Sequence, residues 1–260
     1  MTSLNFGFGP LEAEFWRVVF LMTRIGAAMV AAPIFGAMGV TVQVRLIMTG
    51  AIAVFVAAWT DVAPPADLFS LAGMLVVAGE VLIGAALGFA LQVAFAGPVL
   101  AAEVIGGSMG LSMAMSTDPN AGGQSTAFGQ YFTIVLTLIF LGIGGHLQWL
   151  ALVIESFAAL PPGQTWLGGD IGAQIAGFGS QMFAFALLIA LPITLVLLLV
   201  QVLTGILSRS APSLNLFALG LPAGVLAGLG ALIIAAPLLF AQLEDVAGQG
   251  IENAERVLVQ

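Results

Sequence analysis

The chain contains no cysteine and no lysine, has one histidine and one tyrosine, and only 7% of its residues are charged. Without cysteine there is no disulfide and no thiolate metal site, although this absence assigns no compartment. Without lysine there is no phosphate-binding loop of the GxxxxGK[ST] kind, so energy for any transport would come from elsewhere. The lysine and arginine total is 5, with no basic cluster, which leaves nucleic acid nothing to bind. Charge is also missing locally: Ile171 to Ser208 and Ser210 to Leu243 carry no Asp, Glu, Lys or Arg.

What is present instead is apolar. Hydrophobic residues make up 60% of the 260 positions, and mean hydropathy is +1.14. A soluble domain is about 25% charged, so this chain cannot cover itself with a water-facing surface. A membrane crossing needs about 20 mainly apolar residues, and each uncharged run can hold one. The composition predicts an all-α, multi-pass membrane protein, because exposed strand edges cannot be satisfied in hydrocarbon. A run such as "LLIALPITLVLLLV" (187–200) also lacks the short alternation of barrel strands. The net charge of −8 gathers largely at the ends, in Glu12, Glu14, Glu244, Asp245, Glu252 and Glu255, and does not point to a basic partner. The first apolar segment lacks a basic start and reads as retained structure rather than a secretory signal.

Six apolar stretches are expected, at 11–35, 42–59, 70–96, 126–154, 179–207 and 214–241. Between them lie "DVAPPAD" (61–67), the 97–125 region, "LPPGQTWLGGD" (160–170) and "SRSAPS" (208–213). With six crossings, Arg45 and Arg209 both face the cytoplasm, while Asp61, Asp67, Asp170 and both termini face outward. Pro192, Pro222 and Pro237 fall inside apolar stretches, where each removes an amide donor and predicts a bent helix. The four-residue glycine pairs Gly84/Gly88, Gly106/Gly110 and Gly224/Gly228 predict faces that another helix approaches closely, within the chain or from another subunit.

Single polar residues leave several readings open. Glu80, in "VVAGEVLIGAALGF", has no basic residue three or four positions away. A carboxylate there is costly unless neutral, paired or wet; a structural hydrogen bond, an assembly or conduit contact and ion coupling all remain. Glu103 reads as either exposed or structural. His146, in "FLGIGGHLQWL", has no acid at ligand spacing, and Glu155 follows nine positions later. No GxSxG elbow accompanies it, so it reads as a cap or a packed hydrogen bond. No catalytic, cofactor-binding or metal residue is assigned.

"GLSMAMSTDPNAGGQ" (110–124) is the stretch that fits neither a plain helix nor a plain loop. Met109, Met113 and Met115 supply unbranched, adaptable side chains. Gly106, Gly107 and Gly110 give the backbone room to bend, and Asp118–Pro119 makes a turn or stop. Apolar residues can form a constriction that excludes water and ions. The residues alone leave two readings: a yielding seal, or a connecting or re-entrant loop.

Several stretches together carry a family resemblance: "RIGAAMVAAPIFG" (24–36), "GEVLIGAALGF" (79–89), "GGSMGLSMAMSTDP" (106–119), "FLGIGGHLQWL" (140–150), "ESFAALPPG" (155–163) and "GILSRSAPSLNLFALGLPAG" (205–224). In this order, from about Phe15 to Phe240, the chain resembles the FliR family of type III secretion export-gate proteins. Two departures stand out. Thr41 occupies a place where the family often has proline, and Ser213 follows Pro212 where glutamine is frequent. The resemblance implies one FliR-like membrane domain over 1–260, with a FliP-like portion at 11–154 and a FliQ-like hairpin at 179–241. It further implies a non-enzymatic subunit of the flagellar export gate in the basal body of the bacterial inner membrane. FliP and FliQ would be its partners, with FlhB nearby, and unfolded flagellar proteins would be its passing substrates. The 106–119 region, with Gly106, Met109, Gly110, Met113, Met115, Asp118 and Pro119, would be the pore plug. Arg209, Pro212 and Asn215 would form a cytoplasmic hairpin tip, and Glu80, Gly84, Gly88 and Pro222 intramembrane polar or packing positions. An injectisome homologue is one alternative. A self-contained small-solute or ion transporter is another, although the internal duplication common in that class is not visible.

Overall fold

A computed structural model of the chain describes residues 10–37, 39–65, 67–111, 127–163, 169–210 and 216–258. Among the described residues the regular structure is entirely helical. The helices are α1 (Pro10–Ala31), α2 (Val42–Trp59), α3 (Leu71–Ser108), α4 (Ala127–Gly142), α5 (Gly145–Ala159), α6 (Gly169–Ser210) and α7 (Leu216–Leu258). The expected all-α membrane fold is therefore present.

Four helices are long and apolar enough to cross a membrane: α2, α3, the Ala176–Ser210 part of α6 and the Gly220–Leu258 part of α7. The α4–α5 pair adds a fifth if a broken pair counts as one span. In α1, Glu12, Glu14, Arg17 and Arg24 crowd 22 residues and remove it from that set. With 38, 42 and 43 residues, α3, α6 and α7 are unusually long. At about 1.5 Å per residue they run roughly 57–65 Å, about twice the ~30 Å hydrocarbon core of a bilayer.

Several boundaries differ from the sequence expectation: α6 starts at Gly169 and not near 179, α7 runs on to Leu258 beyond the expected end at 241, and two more departures have a local cause. The 97–125 region was expected to connect helices, yet α3 continues through Pro98 to Ser108. The apolar "VLAAEVI" beyond the proline continues the helical pattern, and packing supports it: a Cβ on Gly97 would lie 2.8 Å from Phe185 Cβ and 3.2 Å from Met182 O of α6. The stretch 126–154 is instead cut in two. Gly144 has a φ of +73°, a left-handed conformation that glycine adopts without a Cβ clash. Leu147 and Gln148 then donate their amides to Gly144 O and start α5.

The chain divides into two compact units. One comprises residues 1–93, 144–178 and 249–260, the other 94–143 and 179–248. The first unit buries Phe20, Leu21, Ile25, Met29, Leu87, Leu91 and Trp149. Pro10 opens α1 at the first helical position, where its missing N–H costs nothing, and Glu12 complements the positive end of the helix dipole. Between α1 and α2, Arg45 donates to Phe35 O at 3.0 Å, Val40 O at 3.2 Å and Ala37 O at 3.3 Å, closing the turn at Thr41 without a proline. The second unit buries Phe95, Ile105, Phe132, Leu136, Phe140, Ile189, Ile193 and Leu197. On α6, Phe183, Leu187, Leu188, Leu191, Leu195, Leu198 and Leu199 stay exposed, as do Leu226, Ile233, Ile234 and Leu238 of α7. Such faces suit lipid or other subunits and not water.

Candidate functional site

Within the second unit, α3 ends at the edge of the region read as a seal. Met109 N–H donates to Ile105 O and Gly110 N–H to Gly107 O, both at 3.0 Å, and Leu111 N–H reaches back to Gly106 O at 3.1 Å. This is the Schellman pattern, in which a left-handed residue satisfies the last carbonyls of a helix. Gly110 fills that position with a φ of +86°, so a side chain there would be strained.

Met109 is 2% exposed. A Cβ on Gly228 would lie 2.6 Å from Met109 Cε, 2.7 Å from Cγ and 2.8 Å from Sδ, and one on Gly224 would lie 3.2 Å from Met109 O. The missing side chain of Gly228 leaves a notch on α7 that the thioether occupies, and that of Gly224 lets the Met109 backbone carbonyl come close to the same helix. Gln201 of α6 holds the same helix end, donating from Nε2 to Ser108 O at 2.8 Å. That carbonyl belongs to the last turn of α3, where no intrahelical partner exists. Gly106 is buried, and a Cβ there would lie 3.8 Å from Phe128 Cδ2. Nearby in this unit, Phe128, Tyr131, Phe132, Leu229, Ile233 and Phe240 line an apolar cavity of about 580 Å³.

The sequence singled out Met109 for its adaptable side chain and Gly224 and Gly228 for their spacing; the fold brings them together. Met113, Met115, Asp118 and Pro119 lie outside the described residues, as do Pro212 and Asn215. Arg209 is exposed in the last turn of α6, and Pro222 is exposed within α7.

The first unit holds a different arrangement. Arg24 Nε donates to Glu80 Oε2 at 2.7 Å and Nη2 to Oε1 at 2.9 Å. Nη1 donates to Ser156 O at 2.6 Å and to Ser156 Oγ at 3.1 Å, while Nη2 also reaches Leu160 O at 2.8 Å. The Phe157 ring lies 4.3 Å from the guanidinium carbon. Arg24 is 0% exposed and Glu80 1%. The guanidinium thus neutralises a buried carboxylate and caps the C-terminal carbonyls of α5, as cations do at the negative end of a helix. Ser156 Oγ in turn donates a hydrogen bond to Val153 O at 2.7 Å.

Gly84 and Gly88 make room for this pair. A Cβ on Gly84 would collide with Arg24 O and lie 2.9 Å from Arg24 C, and one on Gly88 would lie 2.6 Å from both Ala28 O and Ala31 Cβ. Trp149 stacks on Phe35 at 5.5 Å and donates from Nε1 to Leu87 O at 3.1 Å. Neither Arg24 as the partner of Glu80 nor Gln201 was singled out from sequence. One trace existed: Arg24 and Glu80 are opposite charges in separate apolar segments, which is how intramembrane pairs occur. Glu103 is half-buried, and Glu155 is exposed on α5. His146 is half-buried, and its Nδ1 has no hydrogen-bond partner among the described residues. No cluster of three or more His, Asp or Glu side chains among the described residues could hold a metal ion.

Comparison with known proteins bears on these arrangements. Residues 15–250 match the family described as bacterial export proteins, family 1. The chain is 32% identical over 225 residues to the flagellar biosynthetic protein FliR of Pectobacterium carotovorum subsp. carotovorum, covering 86% of this chain and 84% of that protein. It is 31% identical over 229 residues to the FliR protein of Escherichia coli strain K12, covering 88% and 86%. It is 29% identical over 243 residues to that of Bacillus subtilis strain 168, covering 92% and 93%.

Proposed function

This chain belongs to family 1 of the bacterial export proteins, the FliR family, and on that premise we propose that it is a non-enzymatic subunit of the flagellar type III export gate. It resides in the inner membrane at the basal body, assembles with FliP and FliQ close to FlhB, and helps form and seal the conduit for unfolded flagellar proteins. The likeness to flagellar FliR proteins over most of both chains carries this reading. Within it, 11–154 is the FliP-like portion and 179–241 the FliQ-like hairpin, with Arg209 at the hairpin's cytoplasmic tip.

The physical features agree with a role inside an assembly. Exposed leucines and isoleucines cover α6 and α7 along lengths beyond what one bilayer requires. The Met109 segment supplies an apolar, adaptable edge for a seal, while Gly110 lets the chain leave α3. Glu80 is held by Arg24 and its partners, which argues for a structural carboxylate and against ion coupling.

Co-expression with FliP and FliQ tests the proposal. We expect a defined complex by copurification and mass measurement, and poor stability of the chain alone in detergent. A well-folded monomer that moves a small solute after reconstitution would overturn the gate reading in favour of a transporter.

A further inference from the structure

We propose that α2 is the lipid-facing span of this subunit: acyl chains cover its outer face, with Trp59 at one headgroup level and Arg45 at the other. The proposal rests on the inner-membrane reading given above and adds which surface meets the bilayer.

Length separates α2 from the other apolar helices. Its 18 residues rise about 27 Å, close to the ~30 Å hydrocarbon core of a bilayer, whereas α3, α6 and α7 run to about twice that thickness. Its buried residues, Thr49, Ala53 and Val56, form one narrow face. Val44, Ile47, Val54 and Phe55 lie on the opposite face and are exposed. From Leu46 to Trp59 the helix carries no charge. An apolar surface that extends round a helix of this length is the mark of a membrane span.

The two ends carry the marks of the two interfaces. Trp59 is 79% exposed, with the Phe55 ring 6.0 Å away. Just beyond it, Arg17 of α1 donates to Thr60 O and, at 2.9 Å, to Val62 O, which brings Phe15 and Trp16 to the same end. Phe69 meets Trp16 edge to face at 6.1 Å. Aromatic rings gathered beside a polar connector are what the headgroup level of a bilayer collects. Here Arg17 is outnumbered by Glu12, Glu14, Asp61 and Asp67, which line one cavity with it. At the other end stands Arg45, the only basic residue between Arg24 and Arg209. Its charge complements the anionic headgroups of the cytoplasmic leaflet, and the acidic end then faces outward. A covering protein helix would require neither the length match nor this ordering of charge and aromatic rings; a bilayer requires both.

The absence of cysteine from this chain permits a direct test with spin labels at single cysteines. I47C, V54C and W59C are each assembled with FliP and FliQ and reconstituted in vesicles of phosphatidylethanolamine and phosphatidylglycerol. The parent gate, treated with the same label, supplies the background. Labels at 47 and 54 should be mobile and relaxed by dissolved oxygen, with little effect of a water-soluble nickel chelate. The oxygen-to-nickel ratio should fall several-fold at 59, where the headgroups begin. Labels at 47 and 54 that are immobilised and closed to both reagents would place a protein chain on α2 and overturn the proposal. Nickel reaching both sites would place α2 in water and overturn it as well, and so would loss of the complex on labelling either site. Failure of FliP and FliQ to copurify with the unlabelled chain is a separate outcome that sinks the gate reading. The same oxygen and nickel pattern, measured on the chain alone in those vesicles, then decides whether α2 meets lipid.

Discussion

Arg24 and Glu80, 56 positions apart in the chain, meet through two hydrogen bonds of 2.7 and 2.9 Å with neither side chain open to solvent. The remaining donors of Arg24 bind the last turn of α5 at Ser156 and Leu160. One guanidinium therefore joins three helices, each supplying a group that would be costly to bury alone. Removing one member strands the others.

The first prediction concerns that dependence. Glu80→Ala leaves Arg24 buried without its counter-charge, a change that costs about 3–5 kcal/mol in comparable pairs. Yield of the assembled gate and its thermal midpoint in detergent should both fall. The double variant R24M/E80L, which removes both charges, should recover part of the loss. Equal yields for Glu80→Ala and the parent would show that the pair contributes nothing to stability.

Gly84 supplies a second test. A Cβ there runs into the backbone of α1 at Arg24, so Gly84→Ala must push α1 and α3 apart. Overpacking of this kind costs about 1–3 kcal/mol, and less assembled protein should be recovered. Gly205→Ala is the comparison, because a Cβ at that position meets nothing within 4 Å among the described residues. If Gly205→Ala is the more damaging of the two, another subunit packs at Gly205 and the close approach at Gly84 is dispensable.

Arg209 is exposed at the end of α6, the lone charge between Ile171 and Leu243. In the proposed gate this tip meets another export-apparatus protein on the cytoplasmic side, FlhB in preference to a substrate. Arg209→Glu should lower motility and export several-fold while the gate still copurifies. Unchanged export would mark the tip as a solvated turn, and loss of the complex would make Arg209 structural.

The seal reading makes a fourth prediction. Deleting Gly110 to Ala114 should leave subunit assembly largely intact and raise ion leakage, read as conductance of the reconstituted gate or as salt sensitivity of cells. Changing Met109, Met113 and Met115 to alanine should do the same more weakly, since alanine keeps the apolar character and loses the bulk. An assembled deletion complex as tight as the parent would return the segment to an ordinary loop.

The sequence by itself determined the fold class and the solvent. Charge is too scarce for a water-covered surface, and backbone hydrogen bonding in hydrocarbon then requires helices. It also identified the special positions: lone acids such as Glu80, and glycine pairs such as Gly84/Gly88 and Gly224/Gly228. Local spacing can mark a face as narrow, but it cannot say which distant segment arrives there. Only the tertiary structure decided that α1 lies on Gly84, that Met109 fills the notch at Gly228 and that Arg24 answers Glu80. It likewise carried α3 through Pro98, where packing against α6 outweighs a missing amide, and cut a continuous apolar run at Gly144. Periodicity and composition act over one or two helical turns, whereas charge pairing and close packing act between segments that meet only on folding.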